Sequence, residues 1–301
     1  MQGEQSAGRF DDAPIGVFDS GVGGLTVLKA LAGELPGEQF IYLGDTARLP
    51  YGTKSAETVA RYALQAAEAL AEYQIKALVV ACNTASAASL PAIRERMEGM
   101  PVIGVIEPGA DAACRISKSG HIAVIGTEGT VRGGAYQEAI HRLRPDARVS
   151  ARSTQLFVAL AEEGMNEGPI AVSVARHYLD ALFELAAGGS ASAAFGSGGG
   201  SAASAATRGT VPDTLVLGCT HFPMLAGAIR AAVGPAVRMV DSAATTAKAV
   251  SDRLGAGLRA SAGRKTGVRF LATDSPERFA RVGSRFLGQT LSPSDVELVD
   301  L

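Results

Sequence analysis

Short apolar, β-branched runs alternate with longer stretches of helical period along almost the whole chain, and this alternation restricts the fold more than any other feature. The runs predict strands at 15–18 (IGVF), 40–44 (FIYLG), 77–81 (ALVVA), 101–106 (PVIGVI), 121–126 (HIAVIG), 147–152 (ARVSAR), 214–218 (TLVLG), 236–240 (AVRMV) and 268–272 (VRFLA). From Ser55 to Tyr73, the residues Val59, Tyr62, Ala66, Leu70 and Tyr73 recur three or four apart, the stripe of an amphipathic helix. Ser275, Pro276 and Glu277 read as N-cap, first-position proline and first-turn acid, ahead of inward-facing Phe279, Val282 and Phe286. Strands alternating with helices imply an α/β fold with mostly parallel sheets. At 301 residues and 47% hydrophobic, the chain can fill a core of two ordinary domains.

A weak internal echo supports two similar halves. LVVACNTASAASLPAIR (78–94) and LVLGCTHFPMLAGAIR (215–230) both run from an apolar strand through Cys and a polar pair into a helix ending in Ala-Ile-Arg. Duplication would give two α/β/α domains related by a pseudo-two-fold, each turning one cysteine toward a cleft between them. One segment fits neither pattern: residues 186–206 are Gly, Ala and Ser apart from Phe195, too poor in apolar surface to offset the entropy of ordering, and read as a flexible insert without chemistry.

Composition excludes several classes of function. A net charge of −2 with both signs interspersed argues against a nucleic-acid or anionic membrane surface. No apolar stretch approaches the roughly 18 residues of a membrane span, and the start MQGEQSAGRFDDAP lacks the basic and hydrophobic regions of a signal peptide. The reading is a soluble, cytoplasmic protein. Three cysteines at 82, 114 and 219, none in a CxxC pair, argue against a disulfide framework and a thiolate zinc site. Cys114, in the helical stretch ADAACRIS, reads as structural.

Polar residues gather at the carboxyl ends of the predicted strands, where open α/β sheets bind ligands. They are Asp19 and Ser20, Asp45, then Cys82, Asn83 and Thr84, then Glu107, Thr127, and last Cys219, Thr220 and His221. Taken singly, Ser20, Asp45 or Thr127 could be an ordinary turn former or helix cap; six such strand ends, two with cysteines, suggest a site. DSGVGG (19–24) lacks the lysine of a P-loop and the spacing of GxGxxG, but its amides could hold a carboxylate, and Gly126-Thr127 with Gly129-Thr130 offers a second anion site. Both Cys82 and Cys219 precede a helix start, which favours a thiolate. His221, two residues beyond Cys219, adds a proton acceptor. A Cys-His hydrolase built on Cys219 and His221 would lack an obvious third partner and leave Cys82 unexplained.

These residues carry a resemblance. IGVFDSGVGGLTVL, GDTARLPYG, ACNTAS, VIGVIEPG, VIGT and LVLGCTHFP, in this order, resemble the glutamate racemases of the aspartate/glutamate racemase family, from about Ile15 to the C-terminus apart from the insert. The resemblance implies an isomerase without cofactor or metal that supplies D-glutamate for peptidoglycan, as a homodimer, with the site between two α/β domains. It implies Cys82 and Cys219 as the acid/base thiols, with Asp19 assisting Cys82, His221 assisting Cys219, and Glu162 as a further catalytic group. Asp19, Ser20, Tyr51, Gly52, Asn83, Thr84, Thr127, Thr220 and His221 are the implied substrate contacts. The first domain would comprise 1–107 completed by 242–301, and the second 108–241. The chain departs from the family in STQLFVALAEEG (153–164), where Gln155 and Ala159 replace common prolines just ahead of Glu162. An aspartate racemase and a non-catalytic amino-acid sensor on the same fold remain open alternatives at this point.

Overall fold

A computed structural model describes residues 12–184, 211–255, 260 and 266–301; the segment 186–206 lies outside them. The strands are β1 (Ile15–Asp19), β2 (Gln39–Gly44), β3 (Ala77–Val80), β4 (Val102–Gly104), β5 (His121–Gly126), β6 (Arg148–Ser153), β7 (Thr214–Gly218), β8 (Arg238–Asp241), β9 (Gly267–Ala272) and β10 (Val296–Leu298). The helices are α1 (Leu25–Glu34), α2 (Ala56–Ala71), α3 (Asn83–Arg96), α4 (Ile106–Ile116), α5 (Glu128–Arg132), α6 (Ala135–Leu143), α7 (Leu156–Glu163), α8 (Gly168–Glu184), α9 (Ala226–Val233), α10 (Ser242–Leu254) and α11 (Pro276–Leu287).

Two sheets form, every described pairing parallel. One is six-stranded in the order β10-β9-β2-β1-β3-β4, the other four-stranded in the order β6-β5-β7-β8. Numbered from its own first strand, each sheet contains the order 2-1-3-4, and Cys82 and Cys219 both follow the third strand of their sheet. The echo in sequence is therefore an echo in topology. The first sheet is extended beside β2 by β9 and β10, from the C-terminal part of the chain.

Strand periodicity sorts the core. Ile15 and Val17 of β1 face the layer holding Leu25 and Leu28 of α1, while Phe18 faces Val59 and Leu70 of α2 and Ile93 of α3. The layer under α1 runs without a break through Ala110 of α4 and Val250 of α10 into the second sheet. In α2, Val59, Ala66 and Leu70 are buried as the stripe requires, and Ser55 caps the helix by accepting from the Thr58 N–H. No helix among the described residues is long and apolar enough to cross a membrane.

Local chemistry moved some boundaries. The run expected at 101–106 is a strand only over Val102–Gly104, because Val105 already has helical backbone and Ile106 opens α4. Glu107 is consequently a first-turn residue of that helix, half-exposed and paired with Arg94 at 2.8 Å, rather than a group at a strand end. Ser275 does not cap α11: its φ of 49° is left-handed, and its side chain makes no capping bond. The helix instead starts on Pro276 and is held by its buried face, which includes Phe279, Val282 and Phe286. Phe279 packs against Tyr42 and Phe270, ring centroids 5.9 and 6.3 Å away. Phe279→Ala should lower the unfolding free energy by about 3–5 kcal/mol, the usual cost of an emptied aromatic site, read by urea titration.

Candidate active site

The segments that follow β1, β2, β3, β5 and β7 meet one face of α7 around one cavity. It is tight, with about 40 Å³ for the centre of a water-sized sphere, and its walls include Ser20, Tyr51, Gly52, Cys82, Asn83, Thr84, Thr127, Glu162, Cys219, Thr220 and His221. Of the strand-end residues expected from sequence, Asp19, Asp45 and Glu107 do not line it. Gln155 and Val158 of the α7 segment, with Leu49 and Pro50 before Tyr51, complete the wall and were not anticipated.

Asp19 ends β1 and is 1% exposed. Its Oδ2 accepts from the Gly21 N–H at 2.9 Å, and the amides of Ser20 and Gly24 also turn toward it. The DSGVGG loop thus directs these amides at its own aspartate rather than at a ligand carboxylate. Burial raises the Asp19 carboxyl above its ordinary range, opposed by the charge of His221 and by those amides. Asp19 acts on both neighbours through charge, with no bond to Cys82 in the structure.

Cys82 is the N-cap of α3: its Sγ accepts from the Ala85 N–H at 3.4 Å and lies 3.5 Å from Ser20 Oγ. Burial, with the charges of Asp19 and Cys219 adding, pushes its thiol up to about 12 despite those bonds. Beyond it, Asn83 Oδ1 accepts from Tyr136 Oη at 2.8 Å, while its buried Nδ2 has no protein partner and is free to donate. Thr84, Thr127 and Thr130 form a triangle of hydroxyls 2.8 to 3.2 Å apart. Thr127 caps α5 and also lines the cavity. Asp45 belongs to the scaffold: it accepts from Tyr51 Oη, from Arg48 Nε at 2.7 Å and from Thr273 Oγ1 at 2.9 Å, fixing the loop that presents Tyr51.

The opposite wall is different. A turn, not a helix start, follows Cys219; a 3₁₀ segment begins only at Phe222. Within that turn His221 Nδ1 comes 3.7 Å from Cys219 Sγ. His221 Nε2 in turn lies 3.2 Å from Glu162 Oε1 of α7, so the cysteine-histidine pair does have a third partner, 59 residues upstream, which sequence spacing could not reveal. Despite Gln155 and Ala159, the segment still folds into α7 and delivers Glu162 to the site. Burial alone would pull His221 down, but its bonds to Cys219 and Glu162 outweigh that and hold it at about 10. Glu162 is likewise desolvated, yet its bonds and charge interactions with His221 and Arg278 leave its carboxyl below the ordinary range. Arg278 of α11, absent from the sequence reading because nothing in PERFARVGSRFL distinguishes it, donates to Glu162 Oε2 at 2.7 Å. Among the described residues, no group of three His, Cys, Asp or Glu side chains could hold a metal ion.

Two thiols at equivalent strand ends of two like-ordered sheets, both lining one cavity, are the arrangement of an amino-acid racemase of the two-domain α/β class. The chain belongs to the Asp/Glu/hydantoin racemase family, which it matches over residues 20–193. Within that family it is similar to the glutamate racemase of Geobacter metallireducens, 46% identical over 95% of this chain and 96% of the relative. The fold is similar to a glutamate racemase isoform from Bacillus anthracis (TM-score 0.83, 35% identity, 97% of this chain and 98% of that one). It is also similar to the Francisella tularensis glutamate racemase solved with D-glutamate (TM-score 0.81, 33% identity, 96% and 98%).

The two walls touch through glycine. A Cβ on Gly23 would stand 2.3 Å from Thr220 Oγ1 and 2.5 Å from the His221 ring. Gly23→Ala should therefore push the walls apart, and a displacement near 1 Å at a reacting centre costs on the order of 10²-fold in turnover. Far-UV circular dichroism should stay as in the parent protein; unchanged turnover would show that the loops yield freely.

Proposed function

We propose that this chain interconverts L- and D-glutamate by moving a proton at Cα between two thiols, and so supplies D-glutamate for peptidoglycan synthesis. The observation that carries the reading is the cavity itself: both thiols line it, one at a helix N-terminus and the other paired with His221 and Glu162. Close relatives named as glutamate racemases, covered almost end to end, support the choice of substrate.

In the L-to-D direction the Cys219 thiolate takes the Cα proton. The C–H bond breaks, an S–H bond forms, and the electron pair passes into the substrate's α-carboxylate as an enediolate. The Cys82 S–H then gives its proton to the opposite face, leaving Cys82 as thiolate; the reverse direction exchanges the roles. The His221 imidazolium supplies Cys219 with a counter-charge, and burial favours the neutral thiol at Cys82. Donors at the site suited to the charge that develops on the carboxylate are the unpaired Asn83 Nδ2 and the hydroxyls of Ser20, Thr84, Thr127 and Thr220. In a space this small they act without competition from bulk water.

So tight a cavity must open to admit substrate. The parts that separate are, in this reading, 1–107 with 242–301 and 108–241, with the chain crossing near Glu107-Pro108 and Val240-Asp241.

Cys82→Ser and Cys219→Ser should each abolish racemisation by orders of magnitude from either enantiomer, because a hydroxyl is too weak an acid to alternate with its conjugate base. Proton NMR in D₂O tests the two-base step. At low conversion, D-glutamate formed from L-glutamate should carry deuterium at Cα while the remaining L-glutamate stays protiated. Substantial protium in early product would show a single base serving both faces.

A further inference from the structure

The structure assigns Arg278 the part of a positioning residue: reaching from α11 across the seam between the sheets, it fixes the carboxylate of Glu162 against His221 Nε2 and so aims Nδ1 at Cys219. The chain of contacts is continuous, with Arg278 to Glu162 Oε2 at 2.7 Å, Glu162 Oε1 to His221 Nε2 at 3.2 Å, and His221 Nδ1 to Cys219 Sγ at 3.7 Å. This deepens the racemase reading and rests on it for kinetics, though not for the spectroscopic test below.

An exposed arginine-carboxylate pair ordinarily contributes little. Three observations separate this one. Glu162 is only 17% exposed at its side chain, and its other oxygen is committed to a buried histidine. The arginine's helix is anchored by Phe279, Val282 and Phe286, which fixes where its half-exposed side chain starts. A second arginine of α11, Arg285, donates to the Glu162 carbonyl at 3.0 Å, so one helix grips both the backbone and the side chain of one residue. Geometry adds a consequence. Glu162 sits on α7, which follows the edge strand of the four-stranded sheet, whereas α11 packs against α1 and β10 of the six-stranded sheet. Parting the sheets would separate Arg278 from Glu162, so the Cys219 base is complete only when the cleft is shut.

The groups facing His221 come from every side: Cys219 and Thr220 in its own turn, Glu162 of α7, Asp19 at the end of β1, and the Phe286 ring of α11 with its centroid 5.1 Å away. Arg278 and Arg285 stand behind Glu162. With Arg278 removed, Glu162 is free to turn to solvent, and the imidazolium loses the partner that stabilises it. Its proton affinity should then fall, which moves the alkaline limb of kcat/KM to lower pH.

The test compares Arg278→Met, which keeps the stem and deletes the charge, with Arg278→Lys, which keeps the charge without the planar fork. NMR titration of histidine-labelled protein, with the His221 signal identified by its loss in His221→Asn, should show the His221 midpoint fall by about one pH unit or more in Arg278→Met, a tenfold loss of proton affinity. Arg278→Lys should recover most of it. Turnover in both directions should fall about tenfold in Arg278→Met with a smaller change in KM, well within the roughly 10²–10⁴ that acid-base assistance supplies. If Arg278→Met does not fold, Arg278→Gln carries the same comparison. A His221 midpoint unmoved by loss of Arg278, or an effect confined to KM, would overturn the assignment; a parent protein that fails to racemise glutamate would count against the function and leave the titration to decide this point.

Discussion

The close approach of two loop systems through bare backbone is the constraint on which the site depends. Gly23 lies where any Cβ would strike Thr220 and His221, Gly52 where it would strike Thr127, and Gly129 where it would strike Thr84 and the Gly52 carbonyl. Each contact joins a segment that follows a strand of one sheet to a segment that follows a strand of the other. A methyl group at any of them would force the facing wall to shift. Gly23 of DSGVGG and Gly52 of PYG therefore serve packing across the seam, Gly23 while its loop's neighbouring amides are turned onto Asp19.

Enclosure then sets the electrostatics. Asp19, Glu162 and a Cys219 thiolate would be costly together in a dry site without cations. His221 lies within reach of all three, bonded to Cys219 and Glu162 and coupled through charge to Asp19. Arg278 neutralises Glu162 from the solvent side, where a guanidinium keeps most of its hydration. Cys82 receives no such cation, and burial beside Asp19 holds it as the thiol. The two walls are therefore electrostatically unlike, with burial beside Asp19 on the Cys82 side and the His221 cation on the Cys219 side.

Much of this was legible in the sequence because strand ends and their polar residues are local features. The alternating runs placed most strands within a residue or two, and Cys82, Asn83, Thr84, Thr127, Cys219, Thr220 and His221 converge as their strand-end positions implied. What could not be read depends on contacts between distant segments. Arg278 and Glu162 are 116 residues apart, and no periodicity marks either as paired. Asp45 looks like a site residue in sequence because it directly follows β2, yet its three bonds show a support for Tyr51. The loop amides looked free because sequence does not show the direction in which an N–H points. β10 was missed because three residues between a proline turn and the C-terminus carry too little pattern to register as a strand.

The internal echo preserved position and let chemistry diverge. Both cysteines follow the third strand of the order 2-1-3-4, but one caps a helix beside serine and the other stands in a turn beside a histidine-glutamate pair. A racemase can tolerate this asymmetry. Enantiomers free in solution have equal energy, so the equilibrium constant is one and kcat/KM must be equal in the two directions whatever the two thiols' environments. The difference between the walls can appear only in how each direction divides that ratio between kcat and KM. Cys82 and Cys219 are therefore free to differ in proton affinity, provided that the site closes around either enantiomer with one of them charged and the other not.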